Sequence, residues 1–306
     1  MTVIHKITVD SCGYIIYDVS CAAVCMEAFV DSNGTMCAMI DITTAGKPGA
    51  SSDWDPGLYM KFADERTRPS IDLVARIDIE NPKSIIDIGC GPGNSTQILH
   101  RRWPASSIAG IDNSPAMIEK ARRDYPEQNW ILGDASKMDH VEKYDIVFSN
   151  ATIQWIPDHE RLIPQLMGLV AEKGALAMQI PLYQLMPISG LIETVASQGT
   201  WKATTRGCMG LFNFHERGFY YDLLVHRCRF LEIWETSYIH VMNTHGDILE
   251  MIKSTGMKPY LELIESDKDK KDFEREVLKA IEQAYPAQRN GRVLFPFKRL
   301  FFIAYR

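Results

Sequence analysis

A chain of 306 residues with 46% hydrophobic content is long enough for one large α/β domain or two modest ones, with a sizeable core. Its 33 basic and 39 acidic residues leave a net charge of -6 without a clustered basic stretch, which argues against a polynucleotide partner. Seven cysteines without recurring spacing argue against a disulfide framework, and no segment approaches the roughly 20 apolar residues of a membrane span, so a soluble, cytoplasmic protein without membrane contact is expected.

Residues 1–51 differ from the rest of the chain: they hold Cys12, Cys21, Cys25 and Cys37, few charges, and a linker-like tail, "TTAGKPGASS". Asp10 and Asp18 interrupt any signal-like apolar stretch. "KITVDSCGYIIYDV" reads as a hairpin around Gly13. The four cysteines are too irregularly spaced for a strong zinc signal, and a poorly ordered extension is the plainer reading. From Ser52 the main domain begins, with Asp55 as a cap, Pro56 in the first turn, and Tyr59, Phe62, Ala63 and Arg66 at helical spacing. That helix is predicted to stop before Pro69, and a second short helix, "SIDLVARI", comes after it.

Apolar runs then alternate with amphipathic stretches: "SIIDIG", "STQILHRRW", "SSIAGID", "SPAMIEKARRDY", "NWILGD", "YDIVFSN", "ERLIPQLMGLV" and "ALAMQIP". The pattern predicts an α/β fold with a doubly wound parallel sheet and ligand sites at the carboxyl ends of its strands. Beyond Pro181 it loosens until the strand candidate "FLEIWETSYIHVM", then the helices "GDILEMIKSTG" and "KDFEREVLKAIEQAY" and a last strand, "RLFFIAY". Residues 52–77 and about 182–228 are expected to add helical lid elements over the ligand edge.

The loop in "SIIDIGCGPGNST" decides the ligand. Gly89, Gly91 and Gly93 form GxGxG, not the dinucleotide spacing GxGxxG, and Asp87 would face a pyrophosphate across a short distance. A ligand with a positive amino-acid end and no phosphate fits better, which points to S-adenosyl-L-methionine. Asp87 can meet its ammonium, Asp112 at the next strand end its ribose diol, and Asp134 at the third its adenine amino group. Each acid alone also reads as a turn or cap residue; the set of them carries the argument. Cys90, Asn113, Met117, Ala135 and Asn150 complete the candidate cofactor set. A nicotinamide oxidoreductase ranks last on loop spacing, and a non-catalytic cofactor-binding interaction module remains an alternative.

The strings "SDWDPGLYMKFADERTRP", "DIGCGPGNST", "GIDNSPAMIEKAR", "FSNATIQWIPDH" and "VLFPFKRLFFIA" together resemble the trans-aconitate methyltransferases, among the class I S-adenosylmethionine-dependent methyltransferases. The resemblance runs from Ser52 to the C-terminus. It implies a Rossmann-like seven-stranded sheet with the last strand antiparallel, and O-methylation of one carboxylate of trans-aconitate or a similar small polycarboxylate in the cytoplasm by a monomer or weak homodimer. A different small carboxylic acid is the alternative acceptor.

A carboxylate of reference pKa roughly 4 is already a nucleophile at neutral pH, so no catalytic residue and no metal are expected, only positioning groups and a lid. Arginines should grip the carboxylates that do not react. Candidates are Arg66 and Arg68, with Trp54 and Tyr59 closing the site, then Gln154 and Trp155 after the fourth strand of the alternation. "LFNFHERGFYYDLLVHR" adds His215 and Tyr220, with Arg217 and Tyr221 as further polar residues. Two departures from the family pattern stand here: Gly218 replaces a histidine before the paired tyrosines, and "IPLYQLMP" replaces a proline followed by an acid and an asparagine.

Overall fold

The computed structural model describes residues 7–9, 15–17, 26–30, 36–40, 63–138, 142–208 and 212–306, with backbone alone for the strands before residue 41, for 63–66 and for 207. The chain divides into two units, Met1–Ser51 and Ser52–Arg306. In the first, β1 (Ile7–Val9) pairs antiparallel with β2 (Ile15–Tyr17), the hairpin read from the sequence, and β3 (Met26–Val30) pairs antiparallel with β4 (Met36–Ile40). Cys12, Cys21 and Cys25, the Asp55 cap, Trp54 and Tyr59 lie outside the described residues, as does most of the segment expected to be poorly ordered.

In the second unit, α1 (Ala63–Arg76) runs straight through Pro69 instead of stopping before it. Proline removes one intrahelical bond. The helix continues because Pro69, Ser70, Leu73 and Val74 recur on one face and are all buried, so packing outweighs the missing donor. Next in chain order are β5 (Ser84–Ile88), α2 (Asn94–Arg102), β6 (Ser107–Asp112), α3 (Pro115–Asp124), β7 (Asn129–Leu132), β8 (Tyr144–Asn150), α4 (His159–Gly168) and β9 (Val170–Pro181). After β9 come α5 (Pro187–Ala196), α6 (Trp201–Thr204), α7 (Arg217–Leu224), β10 (Phe230–Met242), α8 (His245–Lys253), α9 (Lys258–Leu263), α10 (Asp267–Ala284) and β11 (Val293–Tyr305).

Seven strands form one sheet in the order β10-β11-β9-β8-β5-β6-β7, and β11 alone runs opposite to the other six. The chain winds outward from β5 to β6 and β7, then crosses back to place β8 on the other side of β5. That reversal opens a crevice at the carboxyl ends of β5 and β8, where α/β folds bind ligands. β5 and β8 are buried on both sides, as strands covered by helices on both faces must be.

One face of the sheet packs Leu73, Val74 and Ile77 of α1 and Ile98 and Leu99 of α2 over Ile85, Phe148 and Phe301. The other packs Leu162, Ile163 and Leu166 of α4 and Tyr220 and Leu224 of α7 over Ile86, Val147, Met178 and Phe302. A third cluster joins Ile188 and Ile192 of α5, Ile248 and Ile252 of α8, and Phe273, Val277 and Ile281 of α10 around Phe295. Helices α8 and α10, which lie between β10 and β11 in sequence, share this core with α5. Among the described residues no helix is long and apolar enough to cross a membrane.

Candidate active site

The glycine loop leaves the sheet at the point where β5 ends, and its backbone takes left-handed φ values of 69° at Gly89, 55° at Gly91 and 97° at Gly93. A Cβ on Gly89 would lie 2.0 Å from Thr152 Cγ2, so only glycine lets β5 turn beneath the loop after β8. A Cβ on Gly91 would meet nothing within 4 Å; the loop there borders open space. The Gly89 and Cys90 amides donate to Ile111 O at 2.7 and 3.1 Å, and the Gly91 amide donates to Asp112 Oδ2 at 2.9 Å. Asp112 Oδ1 accepts from the Ser114 amide at 2.9 Å. The loop and the end of β6 are thereby fixed to each other, with the Asp112 carboxylate partly exposed at the junction.

Asp87 is fully buried beneath this loop. Its Oδ2 accepts from Ser95 Oγ at 2.6 Å and Thr96 Oγ1 at 2.7 Å, both in the first turn of α2, while Oδ1 is buried with no hydrogen-bond partner. Burial raises its pKa to about 6, against the pull of the Ser95 and Thr96 hydroxyls and with a small push from Asp112. An orphaned carboxylate oxygen at a glycine loop suits an ammonium group. Cys90 is buried beside it, and desolvation followed by Asp87 and Asp112 drives its thiol pKa well upward.

Asp134 caps a 3-10 turn at residues 135–137, its Oδ1 accepting from the Ser136 amide at 3.0 Å and hydroxyl at 2.7 Å, with Lys137 Nζ 3.1 Å from Oδ2. Burial pulls this carboxyl up, but the Ser136 and Lys137 hydrogen bonds outweigh it and hold the pKa below the ordinary value. Its capping role is thus visible, and it still lines the same cleft as Gly89, Gly91, Asp112, Asn113, Met117, Ala135 and Asn150. Every residue of the candidate cofactor set except Asp87, Cys90 and Gly93 borders that cleft, and Cys90 borders an adjoining recess with Gly89 and Asn150. The open loop, the buried orphan oxygen and the strand-end acids fit a cationic, phosphate-free nucleoside.

A second recess shares Asn150, Ala151 and Trp155 with the cleft and extends to Gln154, Tyr183, Phe212, Phe297 and Arg299. Arg299 sits on β11, in register with Pro181 of β9 and Thr236 of β10, and is 3% exposed. Its guanidinium lies 4.5 Å from the Phe297 ring centre and 5.9 Å from that of Tyr238, and Nη1 donates to Gln179 Oε1 at 3.2 Å. Exposed Arg68, on α1, lies 5.4 Å over the same Tyr238 ring. Tyr238 Oη in turn donates to Asp72 Oδ2 at 2.5 Å. The positive field is felt nearby: burial, then Arg299 and Arg68, push the His240 pKa down to about 4. The Tyr183 hydroxyl, Gln154 Oε1 and Gln179 Nε2 are all buried without a hydrogen-bond partner. A buried guanidinium among polar groups that lack partners suits a ligand rich in carboxylate oxygens.

Trp155 therefore borders both recesses and Gln154 the second, while Arg68 borders neither and lies over Tyr238. The Arg66 side chain lies outside the described residues. His215 and Tyr220 are not brought to either recess. Tyr220 is fully buried, stacked on Phe302 with ring centres 5.1 Å apart, and its hydroxyl is engaged by His159. His215 stacks on Phe219 at 3.7 Å. Helix α7 turns Tyr220 toward the core because Phe219, Tyr220, Leu223 and Leu224 form its apolar face, and His215 lies just before that helix. Arg217 pairs with Glu235 and Tyr221 is half exposed. Sequence reasoning missed Ser95, Thr96, Gln179, Tyr183 and Arg299.

A family model described as Methyltransferase domain matches residues 85–174, the span from β5 into β9 that holds the glycine loop and all three strand-end acids. The trans-aconitate 2-methyltransferase of Escherichia coli O139:H28 is 40% identical over 255 residues, which is 83% of this chain and 99% of that protein. That of Escherichia fergusonii is likewise 40% identical, with the same coverage of 83% and 99%. Among solved structures, the YcgJ protein of Bacillus subtilis shares the fold, with a TM-score of 0.51 at 11% identity over 78% of this chain and 98% of that one. Shared sequence of this extent, along nearly the full length of those relatives, makes this chain a member of the trans-aconitate 2-methyltransferase family.

Proposed function

We propose that this methyltransferase esterifies one carboxylate of trans-aconitate, and that Arg299 anchors a carboxylate that does not react. The observation that carries the reading is the 3% exposed Arg299 guanidinium in a recess contiguous with the cofactor cleft. S-adenosyl-L-methionine supplies an electrophilic methyl group on a sulfonium. In this reading Asp87 would hold its ammonium from beneath the glycine loop, Asp112 its ribose and Asp134 its base. The acceptor needs no general base, because a carboxylate is ionised at neutral pH. With S-adenosyl-L-methionine bound, an acceptor oxygen would take its methyl group, the new O–C bond replacing the methyl–sulfur bond and leaving S-adenosylhomocysteine.

Charge is lost from both partners in that step, so a dry, apolar wall favours it. Trp155, Phe212 and Phe297 supply such a wall around the second recess. Arg299 and Arg68, both close to the Tyr238 ring, suit an acceptor with more than one carboxylate. Tyr183 adds a hydroxyl whose pKa is driven upward by burial, so it donates and does not ionise. We take the working form to be a cytoplasmic monomer or weak homodimer.

Transfer of a labelled methyl group to trans-aconitate, cis-aconitate, citrate, isocitrate and a fatty acid tests the reading. Selective labelling of trans-aconitate is expected. Labelling of a different acid alone, or of none while the cofactor still binds, would sink it.

The recess also depends on one glycine. A Cβ on Gly256 would lie 2.2 Å from Tyr183 Cζ and 2.3 Å from its hydroxyl oxygen. Gly256→Ala must therefore displace the tyrosine ring, at a cost of about 1–3 kcal/mol typical of overpacking. The expected result is a lower melting temperature together with a raised acceptor KM and an unchanged cofactor affinity.

A further inference from the structure

The motif "NATIQWIPDH" brings Gln154 and Trp155 to the site, but its last residue, His159, touches neither recess. His159 opens α4 and is 1% exposed. Its Nε2 lies 2.8 Å from the carbonyl oxygen of Ile153, and a carbonyl only accepts, so Nε2 carries the proton. Burial lowers the His159 pKa, which keeps the ring neutral and leaves Nδ1 bare. Nδ1 is 2.8 Å from Tyr220 Oη, which must then donate to it. The same hydroxyl accepts from the backbone amide of His215.

Ile153 begins the 3-10 turn Ile153–Trp155, whose Gln154 lines the acceptor recess and whose Trp155 lines both recesses. The turn is held from its cofactor side by Thr152 Oγ1, which donates to Gly89 O at 3.1 Å. From the other side it is held by His159, and the Asn213 amide ties the lid loop to Gln154 O at 2.8 Å. We propose that Tyr220 and His159 are positioning residues: a buried relay from Tyr220 Oη through the His159 ring to Ile153 O sets where Gln154 and Trp155 stand in the acceptor recess. It couples that wall to α7 of the lid. Packing alone does not require the hydroxyl, since a phenylalanine at 220 would keep the stack on Phe302. A polar relay in a core is retained for what it orients.

The functional consequence rests on the acceptor reading above. Tyr220→Phe, with His159→Gln as a second variant, is tested in the full chain by backbone hydrogen exchange, trans-aconitate kinetics and calorimetry with S-adenosylhomocysteine. Exchange at Trp155 and Ile156 is expected to accelerate while β8 and α4 stay protected. The acceptor KM should rise about tenfold with cofactor affinity held within about twofold, as loss of one buried hydrogen bond on the acceptor side implies. Unchanged exchange in both variants would overturn the relay. Faster exchange with an unchanged acceptor KM would overturn the positioning role, and so would a general loss of protection with loss of cofactor binding, which marks a merely structural pair. A wild-type protein silent toward trans-aconitate would sink the acceptor reading, while exchange would still decide the relay.

Discussion

Arg299→Gln is expected to lower kcat/KM for trans-aconitate by about a hundredfold to a thousandfold, with cofactor affinity held within about twofold. The size comes from burial. A guanidinium that meets a carboxylate out of water makes charge-assisted bonds of about 1.5–3 kcal/mol each, and the planar fork can make two. The fold should tolerate the change, because glutamine removes the desolvation of a buried charge and is shorter than the side chain it replaces. Arg299→Lys keeps the charge but loses the fork, and should fall between the two. Steady-state kinetics in both substrates reads the split. An acceptor KM equal to that of the unaltered protein would remove Arg299 from the site and with it the argument for a carboxylate acceptor.

What the sequence showed and what it hid divide along the chain for a physical reason. The glycine loop, Asp112 and Asp134 were legible because each is a local strand-turn-helix event, and the parallel sheet then brings successive strand ends together. Arg299 belongs to β11, an antiparallel strand more than two hundred residues from Asp87, so no local pattern pairs them. A signal was nonetheless present. Phe295, Phe297, Arg299 and Phe301 alternate along β11, all of them buried, and an arginine in register with apolar neighbours is one the fold takes inside.

Tyr220 and His215 misled for the opposite reason. Their polar atoms suggested a ligand, yet Tyr220 shares the core-facing side of α7 with Phe219 and Leu224, and His215, just before that helix, stacks on Phe219. Pro69 misled through a sound local rule that a buried helix face overrode. The second hairpin, β3 with β4, was also passed over, although "DSNGT" between them contains the Asn33-Gly34 pair that favours a tight turn.

Asp87→Asn should separate stability from function. Folding raises the Asp87 pKa from an ordinary 3.8 to about 6, with burial as the main cause. A carboxyl whose folded pKa is raised contributes most to stability below its unfolded value, and that contribution is lost as pH rises through the window from about 4 to 6. Above it the ionised group opposes folding of the cofactor-free protein by about 3 kcal/mol, since each pH unit between the two pKa values is worth about 1.36 kcal/mol. Asparagine removes the charge and can still accept from Ser95 and Thr96, but its amide hydrogens bring a smaller penalty of their own. The cofactor-free variant is therefore expected to melt about 3–6 °C higher at about pH 7.5. Its affinity for S-adenosyl-L-methionine should fall about a hundredfold, because the orphan Oδ1 that suits an ammonium has become a neutral amide. In the unaltered protein, cofactor affinity should weaken as pH drops below about 6, since only the ionised carboxylate pairs with the ammonium. Scanning fluorimetry from about pH 5 to 8 with parallel calorimetry reads both effects. A variant that melts lower while binding the cofactor normally would mean that Asp87 serves the fold and not the ligand.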